Sequence, residues 1–292
     1  MSGPLAEWLS SSAGQGAHRV WLKSSAYTKR LLLGATDADP WTSAATYLAY
    51  FSQAQGLLRP DVAVIEVGDL VDAFVRREGG LAGRLGSRRR PALALRKLLE
   101  PQAPKALLSE VVGAVLSHLR GQTPLVLAMP SPRSWLLHAN RLAGGSDDEV
   151  DTDAVEDAAM YVADLMRAVA AHPVAGLLLE EQTGDHRLSA ADVANYRSVL
   201  NVAGHYRWSV VHRLSAGTQA PAESVGGFDA VIAEAGAYRG TLPVGDDVSR
   251  AFAAEQPAGA LQPGQFYFVE IAPGQRPETV LDQLARLRTR SE

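Results

Sequence analysis

The sequence predicts a single (β/α)8 barrel. Eight short β-rich runs alternate with longer runs whose apolar residues recur at a 3.6-residue period. Most strand runs place apolar residues at consecutive positions, the mark of a parallel sheet covered on both faces. The 292 residues suit one barrel of roughly 250 residues with insertions. An open doubly wound sheet is the competing architecture. No Gly-x-Gly-x-x-Gly follows a strand, which removes its commonest nucleotide-binding form.

The strands are expected at 19–23, 62–67, 124–129, 176–180, 208–212, 230–234, 240–244 and 266–271. Between them, Leu48, Phe51 and Leu58 share one face of a helix over 44–58. Leu108, Val112, Val115 and Leu119 form a second stripe. Val155, Ala159, Val162, Met166 and Val169 form a third, with Asp153 as its expected N-cap and Glu156 three residues on. Ser189 and Asp192 repeat that box before Val193, Tyr196 and Leu200. Pro277 occupies a first-turn position before Val280, Leu281, Leu284 and Leu287. The organisation is thus an N-terminal extension over 1–17 and a barrel over 18–292, with a basic insertion around 76–105.

Hydrophobic residues make up 47% of the chain and charged residues 21%, enough apolar material for a large core. A net charge of −4 argues against a general nucleic-acid or membrane-surface binder. No run approaches the roughly 18 apolar residues of a membrane span. Residues 1–17 lack the pattern of a secretory signal, so a cytoplasmic location is expected. The chain has no cysteine, which excludes disulfides, thiolate–zinc sites and cysteine nucleophiles.

Two stretches interrupt the alternation. Residues 76–105 carry Arg76, Arg77, Arg84, Arg88, Arg89, Arg90, Arg96, Lys97 and Lys105 among glycines, the composition of a mobile loop. Residues 144–157 are acidic. They read either as two solvated surface loops or, for the basic one, as a lid over an anionic substrate.

A barrel of this kind holds its site at the C-terminal strand ends. Lys23 ends the first strand, with Tyr27 and Arg30 just after. Glu66 and Asp69 belong to the second, Ser131, Arg133 and Trp135 to the third, and Glu180 and Glu181 to the fourth. His212 and Arg213 end the fifth, Glu234 ends the sixth with Tyr238 nearby, and Glu270 lies in the last. Glu66, Glu180, His212, Glu234 and Glu270 should therefore meet at one end of the barrel. His212 and Glu234, on consecutive strands, should be neighbours sharing a ligand. No Gly-x-Ser-x-Gly elbow, Walker A loop or His-Glu-x-x-His is present. The other histidines, His18, His118, His138, His172, His186 and His205, are scattered.

These strand ends resemble the superfamily that joins uroporphyrinogen decarboxylase to the catalytic domain of cobalamin-independent methionine synthase. His18-Arg19-Val20-Trp21-Leu22-Lys23 is similar to the decarboxylases' opening strand, and Arg59-Pro60-Asp61-Val62-Ala63-Val64-Ile65 with Asp69 to the strand bearing their catalytic aspartate. Ala128-Met129-Pro130-Ser131 and Leu178-Leu179-Glu180-Glu181 resemble the Gly-Pro-Val-Thr and Asp-Glu-Pro segments of the synthase. Val211-His212-Arg213-Leu214 and Ala233-Glu234-Ala235 fall where that family has its zinc ligands. Phe268 to Gly274 resembles a decarboxylase last strand without its His-Gly pair. Leu214 stands in place of the zinc-binding cysteine, and the porphyrinogen-binding arginine string is absent.

The resemblance implies a cytoplasmic lyase acting on a small anionic substrate, most simply a metal-free, cofactor-free decarboxylase. Lys23, Arg30 and Arg133, with Tyr27 and Tyr238, would bind substrate. Asp69 or Glu181 would stabilise positive charge, and His212 with Glu234 would handle the proton. One alternative is methyltransferase-like group transfer on a divalent metal held by His212 and Glu234. Another is an inactive barrel serving as a binding partner. Neither nucleic acid nor membrane is expected as a partner, and a homodimer stays open.

Overall fold

The computed structural model describes residues 4–10, 18–34, 38–85, 91–182, 189–218, 226–262 and 264–289. Eight strands alternate with helices: β1 (Val20–Lys23), β2 (Ala63–Glu66), β3 (Leu125–Pro130), β4 (Gly176–Glu180), β5 (Ser209–Arg213), β6 (Ala230–Ala233), β7 (Val244–Asp247) and β8 (Phe266–Glu270). All ladders are parallel, in the order β1-β8-β7-β6-β5-β4-β3-β2. The sheet is a nearly closed (β/α)8 barrel. At the β1–β2 seam, carboxylates receive backbone N–H groups near both ends of β1: Val20 N donates to Asp61 Oδ2 at 2.8 Å and Ser25 N to Glu66 Oε1 at 3.3 Å.

The helices in chain order are α1 (Pro4–Ser10), α2 (Ser25–Leu33), α3 (Ala44–Leu58), α4 (Val67–Arg77), α5 (Leu81–Arg84), α6 (Pro91–Leu99), α7 (Gln102–Leu119), α8 (Pro132–Leu142), α9 (Thr152–Arg167), α10 (Ala190–Ala194), α11 (Arg197–Tyr206), α12 (Ser249–Ala253) and α13 (Pro277–Arg288). No described helix is long and apolar enough to cross a membrane. Ser189 and Asp192 form the expected reciprocal cap, and Pro277 is the first residue of α13. The cap of α9 is Asp151, which accepts from Ala154 N, instead of the expected Asp153.

Period-two alternation separates two cores. Trp21, Val126, Ala128, Leu178, Val211, Ile232, Phe266 and Phe268 fill the barrel interior. Leu125, Leu127, Met129, Leu177, Leu179, Val210 and Val231 face the helices. Part of the expected 1–17 extension belongs to the interior core. Leu5 and Leu9 of α1 pack under the strand N-termini with Val62, Ala175 and Ala230, and Trp8 meets Trp21 and Phe266 edge-on. Gly176 opens β4 where a Cβ would stand 2.4 Å from Ser209 O and 2.5 Å from Leu5 Cδ2, so only glycine lets α1 seat there.

Two expectations are corrected. The seventh strand is Val244–Asp247, not 240–244, because Pro243 cannot donate to a ladder and only its carbonyl is used, by Val231 N. The described part of 76–105 is mostly helical instead of the expected loop. Ala94, Leu95, Leu98 and Leu99 of α6 are buried, and α6 packs on α8 and α9. Its cations are engaged locally: Arg77 on Trp41 O, Arg76 with Asp39, Arg84 with Glu78, Arg96 with Glu100 and Lys105 with Asp164. Gly86 and Arg88 to Arg90 lie outside the described residues.

Candidate active site at the barrel mouth

The last inward-facing positions of six strands carry ionisable groups, Glu66 of β2 among them. Lys23 of β1 and Arg213 of β5 are the cations; Glu180 of β4, Asp247 of β7 and Glu270 of β8 are their counter-charges. Parity explains this: Lys23 continues the face of Trp21, Arg213 that of Val211, and Glu270 that of Phe268. Lys23 Nζ lies 3.0 and 2.9 Å from the two oxygens of Glu180, 3.3 Å from Glu270 Oε1 and 3.7 Å from Glu66 Oε2. Arg213 Nη1 donates to Glu180 Oε1 at 2.8 Å and to Glu270 Oε2 at 2.6 Å, and its Nε and Nη2 reach Asp247 Oδ2 at 3.0 and 2.9 Å. Its guanidinium lies 4.5 Å above the Phe268 ring.

Burial works against the charge on Lys23, but Glu180, Glu66 and Glu270 outweigh it and raise its pKa. Burial likewise opposes the Arg213 charge, and Asp247, Glu180 and Glu270 prevail, so its pKa is also raised. Two glutamates of the same cluster are driven apart. Glu66 is pushed up to about 7, chiefly by burial, with Asp69 and Glu180 adding to the shift and Lys23 opposing it. Burial pushes Glu270 up too, but Lys23 and Arg213 together hold its carboxyl below the ordinary value.

Above the cluster opens a cavity of ≈ 400 Å³. Lys23, Arg213, Glu180 and Glu270 form part of its lining, with Gly68, Trp135 and His138 on one side and Glu234, Ser249 and Arg250 on another. Glu181 and Ser134 also reach it. The Trp135 Nε1 proton is buried without a hydrogen-bond partner.

Glu181 is the visible end of a buried network. Its Oε1 lies 2.7 Å from His212 Nε2 and 2.9 Å from the Tyr196 hydroxyl, and its Oε2 lies 2.7 Å from Ser131 Oγ and 3.3 Å from Ser134 Oγ. Four donors around one carboxylate fix its position. The side chains of His212 and Glu181 are each 1% exposed. Phe228 stacks on the imidazole at 4.6 Å, and His212 Nδ1 has no partner.

Glu180, Glu234 and Glu270 line the cavity at the expected end; Glu66 lies at the same end against Lys23, 3.7 Å away but outside that lining, and His212 lies at the same end of its strand. The pairing of His212 with Glu234 is not made. His212 has the parity of Val210 and points outward into the helix layer, onto Glu181. Glu234 instead accepts from Gly217 N and Arg250 Nη1. The alternative metal site on His212 and Glu234 is therefore not assembled. Among the described residues no three His, Asp or Glu side chains are grouped to hold a metal ion.

Asp69 sits one helical turn into the mouth, bound by Ser25 Oγ at 2.7 Å and Lys29 Nζ at 2.8 Å, outside the cavity lining. Tyr27, expected to bind substrate, is 1% exposed and packs with Leu22, Leu58 and Val280 in the outer core. Tyr238 is buried against the 240–242 turn. Arg30 is exposed on α2 away from the cavity. Arg133 turns into the helix layer, 3.7 Å from Asp192, with both side chains 4% exposed. Of the three expected anion-binding cations only Lys23 faces the mouth. Arg213 and Asp247 are the main additions. Arg213 shares the parity of the strand-end glutamates, whereas Asp247 lies beyond the expected seventh strand.

Comparison with protein-family models and with curated protein sequences finds no match to the chain.

Proposed function

We propose that this barrel is an acid–base enzyme of lyase type, most simply a decarboxylase, acting on a small molecule seated over the Lys23–Arg213 floor. The observation that carries the reading is geometric: Lys23 and Arg213 form a cationic floor under the cavity, and Glu66 and Glu270 both lie against the Lys23 ammonium, where burial pushes the Glu66 carboxyl up to about 7 and the two cations hold Glu270 down. A carboxyl group held near its operating pH can deliver a proton, and one held down supplies fixed charge. The order of strand-end motifs supports a place in the superfamily joining uroporphyrinogen decarboxylase and cobalamin-independent methionine synthase.

In the step proposed, the C–C bond to the leaving carboxylate breaks and CO2 departs. The electron pair remains on a carbon whose anion is delocalised by the substrate's own conjugation. Glu66 gives that carbon its proton and is reprotonated by water. Lys23, 3.7 Å from Glu66, offsets the developing negative charge. Glu181, buried in the cavity wall and already bound by four donors, braces that wall. The roles expected for His212 and Glu234 pass to Glu66 and Lys23, because His212 is sealed behind Glu181.

The test is a panel of small β-keto, aryl and unsaturated carboxylic acids in D2O, followed by NMR for CO2 release and deuterium at the adjacent carbon. The wild type should convert at least one, and Glu66→Gln should not while keeping its fold. Conversion that survives Glu66→Gln unchanged would remove Glu66 from the reaction.

A further inference from the structure

The two floor cations are bridged twice in the same way. Glu180 contacts both, with its side chain 13% exposed. Glu270 contacts the same two, Oε1 at 3.3 Å from Lys23 and Oε2 at 2.6 Å from Arg213, but is 40% exposed and faces the cavity. Glu180 is the inner clamp and Glu270 the outer one. Lys23 and Arg213 thus form a seat for a carboxylate, one side a planar fork and the other an ammonium, and the chain's own Glu270 fills it.

Because carboxylates already surround both cations, a further anion added to this floor would meet uncompensated repulsion. An anion exchanged for Glu270 leaves the charge on the floor unchanged. The exchange asks little of Glu270, which moves from a part-exposed position into solvent, where its charge is fully hydrated.

We infer that the substrate carries a carboxylate that displaces Glu270 and is gripped between Lys23 and Arg213. The inference rests on the decarboxylation reading and deepens it by naming the substrate class. The gripped carboxylate is not the one that leaves, since contact with two cations stabilises the ground state and opposes loss of CO2. The substrate is therefore a dicarboxylate. One carboxylate takes the Glu270 seat; the other is the further anion that the floor repels, and its loss as CO2, from a carbon on the side of Glu66 and the same Lys23 ammonium, relieves that repulsion.

Binding of sodium malonate and sodium acetate, measured by isothermal titration with sodium chloride held at matched ionic strength, tests this. Glu270→Ala vacates the seat and should bind malonate about tenfold more tightly than the wild type, the worth of one charge-assisted contact no longer competed away. Acetate should show the same direction. Adding Lys23→Met to Glu270→Ala should abolish the gain. Glu270→Gln, which keeps the side-chain volume, gives a second reading if Glu270→Ala fails to fold. Folded Glu270→Ala and Glu270→Gln proteins that bind malonate no better than the wild type, or a gain that chloride reproduces, would overturn the inference. If the seat fails and Glu66-dependent CO2 release persists, only the seat is lost. If the seat binds malonate and no acid is decarboxylated, the reaction is lost and the seat stands.

Discussion

Replacing Glu66 with glutamine should make the protein more stable relative to wild type as pH rises. The Glu66 side chain is 16% exposed and its strongest perturbation is burial; Lys23 at 3.7 Å only partly compensates. Its pKa moves from 4.5 to about 7. At about 1.4 kcal/mol per pH unit, that displacement corresponds to about 3 kcal/mol. The sign follows from which state holds the proton. The folded state keeps it to higher pH than the unfolded chain, so the wild type loses stability from about pH 4.5 up to about pH 7 and is level beyond. Glutamine mimics the protonated form and does not titrate. The difference between variant and wild type should therefore move by about 2–3 kcal/mol in the variant's favour between about pH 4.5 and about pH 8, since partial exposure trims the full value. Urea unfolding of both proteins across this range measures it, with equal m-values as the check that the unfolded states match. A difference that stays constant, or moves the other way, would refute the claim that burial dominates at Glu66.

Glu181→Ala should cost about 1–3 kcal/mol in urea unfolding for each buried donor it orphans, His212 Nε2, the Tyr196 hydroxyl and Ser131 Oγ, while Glu181→Gln, which keeps the shape and one acceptor, should cost less. Leu5→Ala should cost about 2–5 kcal/mol, because fully buried Leu5 fills the bottom of the barrel. Gly176→Ala should lower the melting temperature, since its Cβ would collide with Ser209 O and Leu5, and a wild-type melting temperature would show that α1 does not seat on β4.

The barrel was legible because its strands are buried on both faces and leave runs such as Leu177-Leu178-Leu179 and Val210-Val211 that stand out in any window. β7 was displaced because Gly245, Asp246 and Asp247 have little β propensity and owe their place to neighbours on both sides. The site was half legible. Strand ends were found, but being at an end does not say which way a side chain points. Lys23, Glu180, Arg213 and Glu270 share the inward parity, while His212, one residue before Arg213, faces outward. A histidine drew attention by its chemistry when its register placed it in the helix layer. Tyr27 and Arg133 misled for a similar reason: both follow strand ends in sequence, and the first turn of the next helix rotates them into the outer packing.

The most direct measurement is a 13C NMR titration of the glutamate side-chain carboxyls, with Glu66→Gln and Glu270→Gln to assign two resonances. One resonance should shift with a midpoint of about 7 and vanish in Glu66→Gln. The resonance missing from Glu270→Gln should titrate below the ordinary glutamate range. A Glu66 midpoint at or below the ordinary value of 4.5 would contradict the account, because the mouth would then hold no carboxyl poised to deliver a proton at neutral pH.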